Sequence, residues 1–308
     1  MPPDRAADAP PLADRAAGAS GGPASPGAGP RSTLPGAGRT AGRGAPDPSP
    51  PSGPTLATAA GRPFPTPPLR RAPWVTALLT VAVVLGYLLL QSAAGLIALV
   101  PAAAAGGVPS PGRLLGLLWE RAGLAAWVGI AVAAPAATAA LWRLARWQGP
   151  GPARRRLGLV PARRRDALVW LLAVLAFGWL YERASVWLDR PPLPPVMEQV
   201  FRTAGWLPAL VVAVVVLAPA FEELAFRGFC LGGLARLGAV PAVALSSALF
   251  AVIHVQYDLF DVGSVLALGV LFGAARWQSG STLLTLGLHA FHNALASVQA
   301  LWTVGGAP

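Results

Sequence analysis

Lysine is absent from all 308 residues, so the 24 basic side chains are all arginine, set against 13 acidic ones. Charged residues make up 12% of the chain and apolar residues 54%, far from the roughly one-quarter charged fraction of an ordinary soluble domain. That scarcity of charge excludes a typical water-soluble fold. The single cysteine, Cys230, excludes an intrachain disulfide and a thiolate metal cluster, and in an apolar helix it reads as packing. No early apolar core follows Met1, so the secretory-signal pattern is missing and the first long apolar run is the expected insertion signal. A net charge of +11 raises the question of nucleic acid. The arginines, however, lie in the N-terminal tail and in the links between apolar runs, where they orient a membrane protein, so no nucleic-acid partner is expected.

Residues 1–73 hold 18 of the 33 prolines, with Gly, Ala and Ser filling most of the rest. Such a stretch buries too little apolar surface to offset its ordering entropy, and a disordered tail is expected. From Trp74 the apolar runs reach the ~20 residues that a helix needs to cross a ~30 Å hydrocarbon layer. Seven spans are expected, at about 74–100, 115–142, 167–188, 206–236, 240–257, 260–275 and 281–304. The predicted fold is therefore all-α: a polytopic transmembrane bundle in the lipid bilayer behind a disordered tail. Eight arginines between Arg143 and Arg165 place the link between the second and third spans in the cytoplasm. The N-terminus is then cytoplasmic and the C-terminus lies on the far side.

All three histidines, His254, His289 and His292, and the adjacent carboxylates Glu222 and Glu223 fall inside the later apolar runs. An ionisable group at membrane depth is costly and persists mainly where it pairs, binds an ion or lines a wet cavity. Glu223 and Arg227 stand at i and i+4, the acid N-terminal to the base, which suits an ion pair. Glu222 points ~100° away and is left as a candidate general base. Phe250 and His254 share a face of the fifth span. With Leu237 and Gly238 as the turn between the fourth and fifth, Glu222 and His254 stand equally far from Gly238, ~24 Å at 1.5 Å per residue. His289, His292 and Asn293 stand at i, i+3 and i+4 of the seventh span, one helical face.

Glu222-Glu223-Leu224-Ala225-Phe226-Arg227, Phe250-Ala251-Val252-Ile253-His254 and His289-Ala290-Phe291-His292-Asn293, in this order, resemble the three motifs of the CAAX prenyl endopeptidase and bacteriocin-processing family of intramembrane metalloproteases. The resemblance covers roughly residues 206–304, which it implies to be the catalytic core, with residues 74–205 as N-terminal helices and basic loop. It implies endoproteolysis near the C-terminus of a membrane-associated protein or peptide. It also implies Glu222 as base, Glu223 and Arg227 as a supporting pair, His254 as the group that orients water, and His289 and Asn293 as oxyanion stabilisers. His292 falls outside the motif roles and reads as an ordinary helix neighbour. Many relatives are bacterial, so a bacterial plasma membrane is the expected location.

No His-Glu-x-x-His occurs, which removes the zincin arrangement. Two readings of the cofactor stand. Glu222, His254 and His289 would be the ligands if Zn²⁺ is held with an open position for water; otherwise a Glu/His pair activates water by itself. The alternative to an enzyme is a non-catalytic membrane scaffold or immunity protein on the same fold. A transporter would show a repeat of similar segments, and the ionisable groups instead fall in the C-terminal half.

Overall fold

The computed structural model describes residues 71–105, 111–149 and 151–306, and the tail of residues 1–73, but for its last three, lies outside them. Every regular element among the described residues is helical. In chain order they are α1 (Pro73–Ala104), α2 (Pro111–Glu120), α3 (Ala122–Trp147), α4 (Ala153–Arg156), α5 (Arg164–Trp187), α6 (Pro195–Arg202), α7 (Leu207–Leu237), α8 (Ala239–Val252), α9 (Leu259–Ser279) and α10 (Thr282–Val304). Five of them, α1, α3, α5, α7 and α9, are long and apolar enough to cross a membrane, and the chain is an integral membrane protein. Of the other two expected spans, α10 is 23 residues long and carries the polar His289, His292, Asn293 and Gln299, while α8 has only 14 residues.

Two expected spans are drawn differently. The run at 115–142 breaks at Arg121, between α2 and α3. The first amides of α3 find their acceptors far along the chain: Gly123 N donates to Thr203 Oγ1 at 2.9 Å and Leu124 N to Thr203 O at 3.2 Å. This satisfies N–H groups that a helix start leaves without partners. The run at 240–257 ends as helix at Val252, and after a turn Asp258 caps the next helix by accepting from Asp261 N at 3.1 Å. The expected turn at Gly238 is present, and its φ of +92° suits a residue without a Cβ.

The largest core cluster joins α1 (Val84, Tyr87), α3 (Ile130, Ala133, Ala134, Ala137, Leu141), Leu157, α7 (Phe221, Phe226, Phe229) and Phe250 of α8. Small residues bring α1 and α3 close, as is usual where helices pack within lipid: a Cβ on Gly129 would lie 2.5 Å from Gln91 O.

Several helix ends gather on the arginine-rich face. Arg71, just before α1, stacks its guanidinium 4.1 Å over the Trp147 ring at the end of α3. Thr282, at the start of α10, donates through its backbone N to Gly158 O at 2.7 Å and through its hydroxyl to Leu157 O at 2.6 Å. The link after α3 is therefore strapped to the α9–α10 turn, and α10 ends on the opposite face.

Candidate active site

The central helix α7 is not uniform. Two π-helical stretches, Ala213–Leu217 and Leu224–Cys230, interrupt it. Such wider turns loosen the backbone hydrogen bonding and recur at functional sites, and freed carbonyls need partners where water is scarce. Neighbouring helices supply them: Asn293 Nδ2 of α10 donates to Val214 O at 2.8 Å, and Ser246 Oγ of α8 donates to Phe226 O at 2.8 Å. The polar pair Ser246-Ser247 in an otherwise apolar helix was the available signal for the second contact.

Glu222 and Glu223 end the α-helical turn between the two π stretches. Their environments differ. Glu223 is fully enclosed, and its Oε1 accepts from Arg227 Nη1 at 3.1 Å and from His289 Nδ1 at 2.9 Å. Arg227, also buried, donates from Nη2 to Gly269 O of α9 at 3.1 Å and lies 4.3 Å over the Phe250 ring and 5.4 Å from that of Phe272. A buried pair of this kind is held by its further hydrogen bonds as much as by its own attraction, and here they tie α7 to α9 and α10.

Glu222 retains 12% side-chain exposure where Glu223 has none, and among the described residues it accepts no hydrogen bond. Its nearest cationic or imidazole neighbour is His289 Nε2, 3.7 Å from Oε2. The hydroxyls of Tyr87 on α1 and Tyr257 after α8 both lie within electrostatic reach of it. Neither tyrosine belongs to the three motifs. Tyr87 stacks on Phe221, the residue before Glu222, at 4.1 Å between ring centres.

The two motif histidines are each fixed in one tautomer by an acceptor that has no proton to give. His254 Nδ1 lies 2.8 Å from Phe250 O, so Nδ1 carries the hydrogen and the neutral ring has its lone pair on Nε2. His289 Nδ1 faces the Glu223 carboxylate in the same way, which also leaves Nε2 as its second functional nitrogen. His254 lies two residues beyond α8, in the turn before α9, rather than within the fifth span. Phe250 bridges the two, its ring centre 4.9 Å from that of His254 and 5.9 Å from that of His289. His292 packs at 6.1 Å from the Phe177 ring of α5.

The structure thus brings Glu222, Glu223, Arg227 and His289 into one connected cluster, links His254 to it through Phe250, and ties Asn293 to the neighbouring turn of α7. Val214 takes one of the two hydrogens on Asn293 Nδ2. The donor types suit a metal, since an oriented imidazole with a carboxylate on its far nitrogen is the usual supporting arrangement. Yet among the described residues no three His, Cys, Asp or Glu side chains converge tightly enough to hold a metal ion. The set Glu222, His254 and His289 does not fit Zn²⁺ in this geometry.

Residues 204–295, less than a third of the chain, match the family model described as "Type II CAAX prenyl endopeptidase Rce1-like". The match begins just before α7 and runs two residues past Asn293, taking in all three motifs. Comparison with curated proteins and with solved structures yields no match.

Proposed function

We propose, from the match of residues 204–295 to the family model described as "Type II CAAX prenyl endopeptidase Rce1-like", that the chain is an intramembrane endopeptidase cleaving a membrane-associated protein or peptide with water activated by Glu222 and His254. The carrying observation is the asymmetry of the two glutamates. Glu223 is committed to Arg227 and His289, whereas Glu222 is partly accessible and accepts no hydrogen bond among the described residues.

In this reading His254 Nε2 accepts a hydrogen bond from a water molecule and orients it, and Glu222 takes the proton as the water oxygen bonds to the scissile carbonyl carbon. The negative charge that moves onto the carbonyl oxygen is met by the second Asn293 N–H, and by His289 Nε2 in the doubly protonated form of the ring, whose Nδ1–H stays on Glu223. As the C–N bond breaks, Glu222 returns the proton to the departing amine. Arg227 and Glu223 position His289 and do not touch substrate. No step passes through a metal.

The test is Glu222→Gln in proteoliposomes, with an internally quenched farnesylated peptide ending in a Cys-aliphatic-aliphatic-X sequence, alongside mass spectrometry of new N-termini in the host membrane. Loss of the base should lower the rate by ~10²–10⁴-fold. Wild-type turnover in the variant would remove Glu222 as the base, whereas a wild-type protein that cleaves no peptide while Glu222→Gln keeps its cellular function would remove the endopeptidase reading and favour the scaffold. Elemental analysis with chelation addresses the cofactor: chelator-sensitive activity restored by Zn²⁺ would show a metal in the reaction and replace the metal-free scheme.

A further inference from the structure

We infer that Arg190, outside the segment that matches the family, is a positioning residue for His254, acting through Asp258, Asp261 and the turn that joins α8 to α9. The inference rests on the endopeptidase reading for its catalytic consequence, though not for its geometry.

His254 has left α8, so helix backbone does not fix its ring. Upstream, the ring is held by the Nδ1 hydrogen bond to Phe250 O. Downstream, it is held by Tyr257, whose N donates to His254 O at 3.1 Å and whose ring stacks on the imidazole at 6.0 Å and 10°. Tyr257 is therefore the far wall of the His254 site. Its position depends on the next residue, Asp258, which caps α9 through Asp261 N.

Asp258 is in turn paired with the Arg190 guanidinium, and the same Nη2 reaches Asp261 Oδ2 at 3.4 Å. Tyr181 of α5 donates to Asp261 Oδ1 at 2.8 Å, and its ring lies 5.6 Å from that of Phe260. Arg190 also sits 4.4 Å over the Phe260 ring. Contacts among five side chains, Tyr181, Arg190, Asp258, Phe260 and Asp261, thus pin the first turn of α9 to the end of α5. Arg190 is itself aimed by a sharp reversal: its N donates to Ser185 O at 3.0 Å, and Asp189 takes a φ of +52°, the sole left-handed non-glycine among the described residues. Such a conformation persists where surrounding contacts over-determine it.

The exposure of the pair decides what it does. Asp258 has 51% of its side chain exposed and Arg190 22%, and exposed ion pairs add little to global stability. Loss of this one should leave the bundle folded and loosen the turn that carries His254. That outcome separates a positioning role from a structural one.

The experiment compares wild type, Arg190→Gln and Asp258→Asn, using the same quenched farnesylated peptide. A misplaced catalytic group costs up to ~10²-fold. We therefore expect kcat to fall about tenfold or more in each single variant with KM changed less than about twofold. Melting temperatures should stay within about 2 °C of wild type. A readout independent of turnover is acylation of His254 by diethyl pyrocarbonate, followed by mass spectrometry, which should be faster in the single variants. Unchanged kcat in both single variants overturns the inference, as does a parallel fall of kcat and melting temperature with His254 acylation unaltered. A wild-type protein that does not cleave the peptide and is indistinguishable from Glu222→Gln counts against the endopeptidase reading, while the acylation comparison still decides the clamp.

Discussion

Glu223→Gln is the substitution for which the structure supplies the most arithmetic. The carboxylate is fully enclosed, and Arg227 is 1% exposed. Removing one member of a buried ion pair costs ~3–5 kcal/mol, because the other charge is left without compensation. Glutamine keeps an acceptor oxygen for Arg227 Nη1 and His289 Nδ1, so the loss is of charge rather than of hydrogen-bond geometry, and a value near the lower end, about 3 kcal/mol, is expected. At ~2–4 °C per kcal/mol for a chain of this size, the melting temperature should fall by about 6–12 °C. Glu222→Gln is the control: with no protein hydrogen bond to lose, it should melt within about 2 °C of wild type while losing turnover. The 11 tryptophans give an intrinsic fluorescence signal for thermal unfolding in detergent. Pairing Glu223→Gln with Arg227→Met removes both charges and should recover part of the loss, since a buried ion pair is often replaced by apolar residues without net cost. An unchanged melting temperature for Glu223→Gln, or an equal fall for Glu222→Gln, would refute the division of roles between the two glutamates.

Reporter fusions at Gly151 and after Val304 should report opposite compartments, with Gly151 cytoplasmic; a shared compartment would mean that the number of crossings is wrong by an odd number. Gly123→Ala places a Cβ 2.0 Å from Val200 O, a backbone atom that cannot yield cheaply, and overpacking of this kind should destabilise the α3–α6 junction by ~1–3 kcal/mol; thermal unfolding at wild-type temperature would show that the junction relaxes freely. The Arg190 guanidinium beside Asp258, aided by Asp261 N–H, holds the Asp258 carboxyl below the usual carboxylate range. A lowered carboxyl stabilises above its ordinary value of ~3.9 and loses that contribution only as pH falls through the lowered value, so the pair should stay closed from pH 8 down to ~5. Carboxyl ¹³C shifts of labelled aspartate should show Asp258 returning to the ordinary range in Arg190→Gln, and an unmoved titration would refute the pairing.

What the sequence revealed and what it concealed divide along physical lines. Long apolar runs locate spans because lipid imposes a length on them, and the Glu223–Arg227 pair was legible because helix periodicity fixes which side chains meet at i and i+4. The end of α8 was not legible: Val252, Ile253 and Val255 keep the hydropathy high through the turn, and the nearest polar signal is Asp258, which marks the start of α9. The break at Arg121 was hidden for the opposite reason, since the group that satisfies the start of α3 is Thr203, eighty residues on in the chain. The π stretches carry no composition of their own, yet they set which carbonyls Ser246 and Asn293 must satisfy and break the uniform 1.5 Å rise on which the equal-depth argument for Glu222 and His254 depended. Tyr87 and Arg190 lie outside every motif, because local patterns record what a segment does by itself. Both act on the candidate site from helices that the motifs do not cover: Tyr87 packs beside Glu222, and Arg190 holds the turn that presents His254. The motif-bearing helices thus supply the reactive groups, while part of their placement comes from α1 and from the turn after α5.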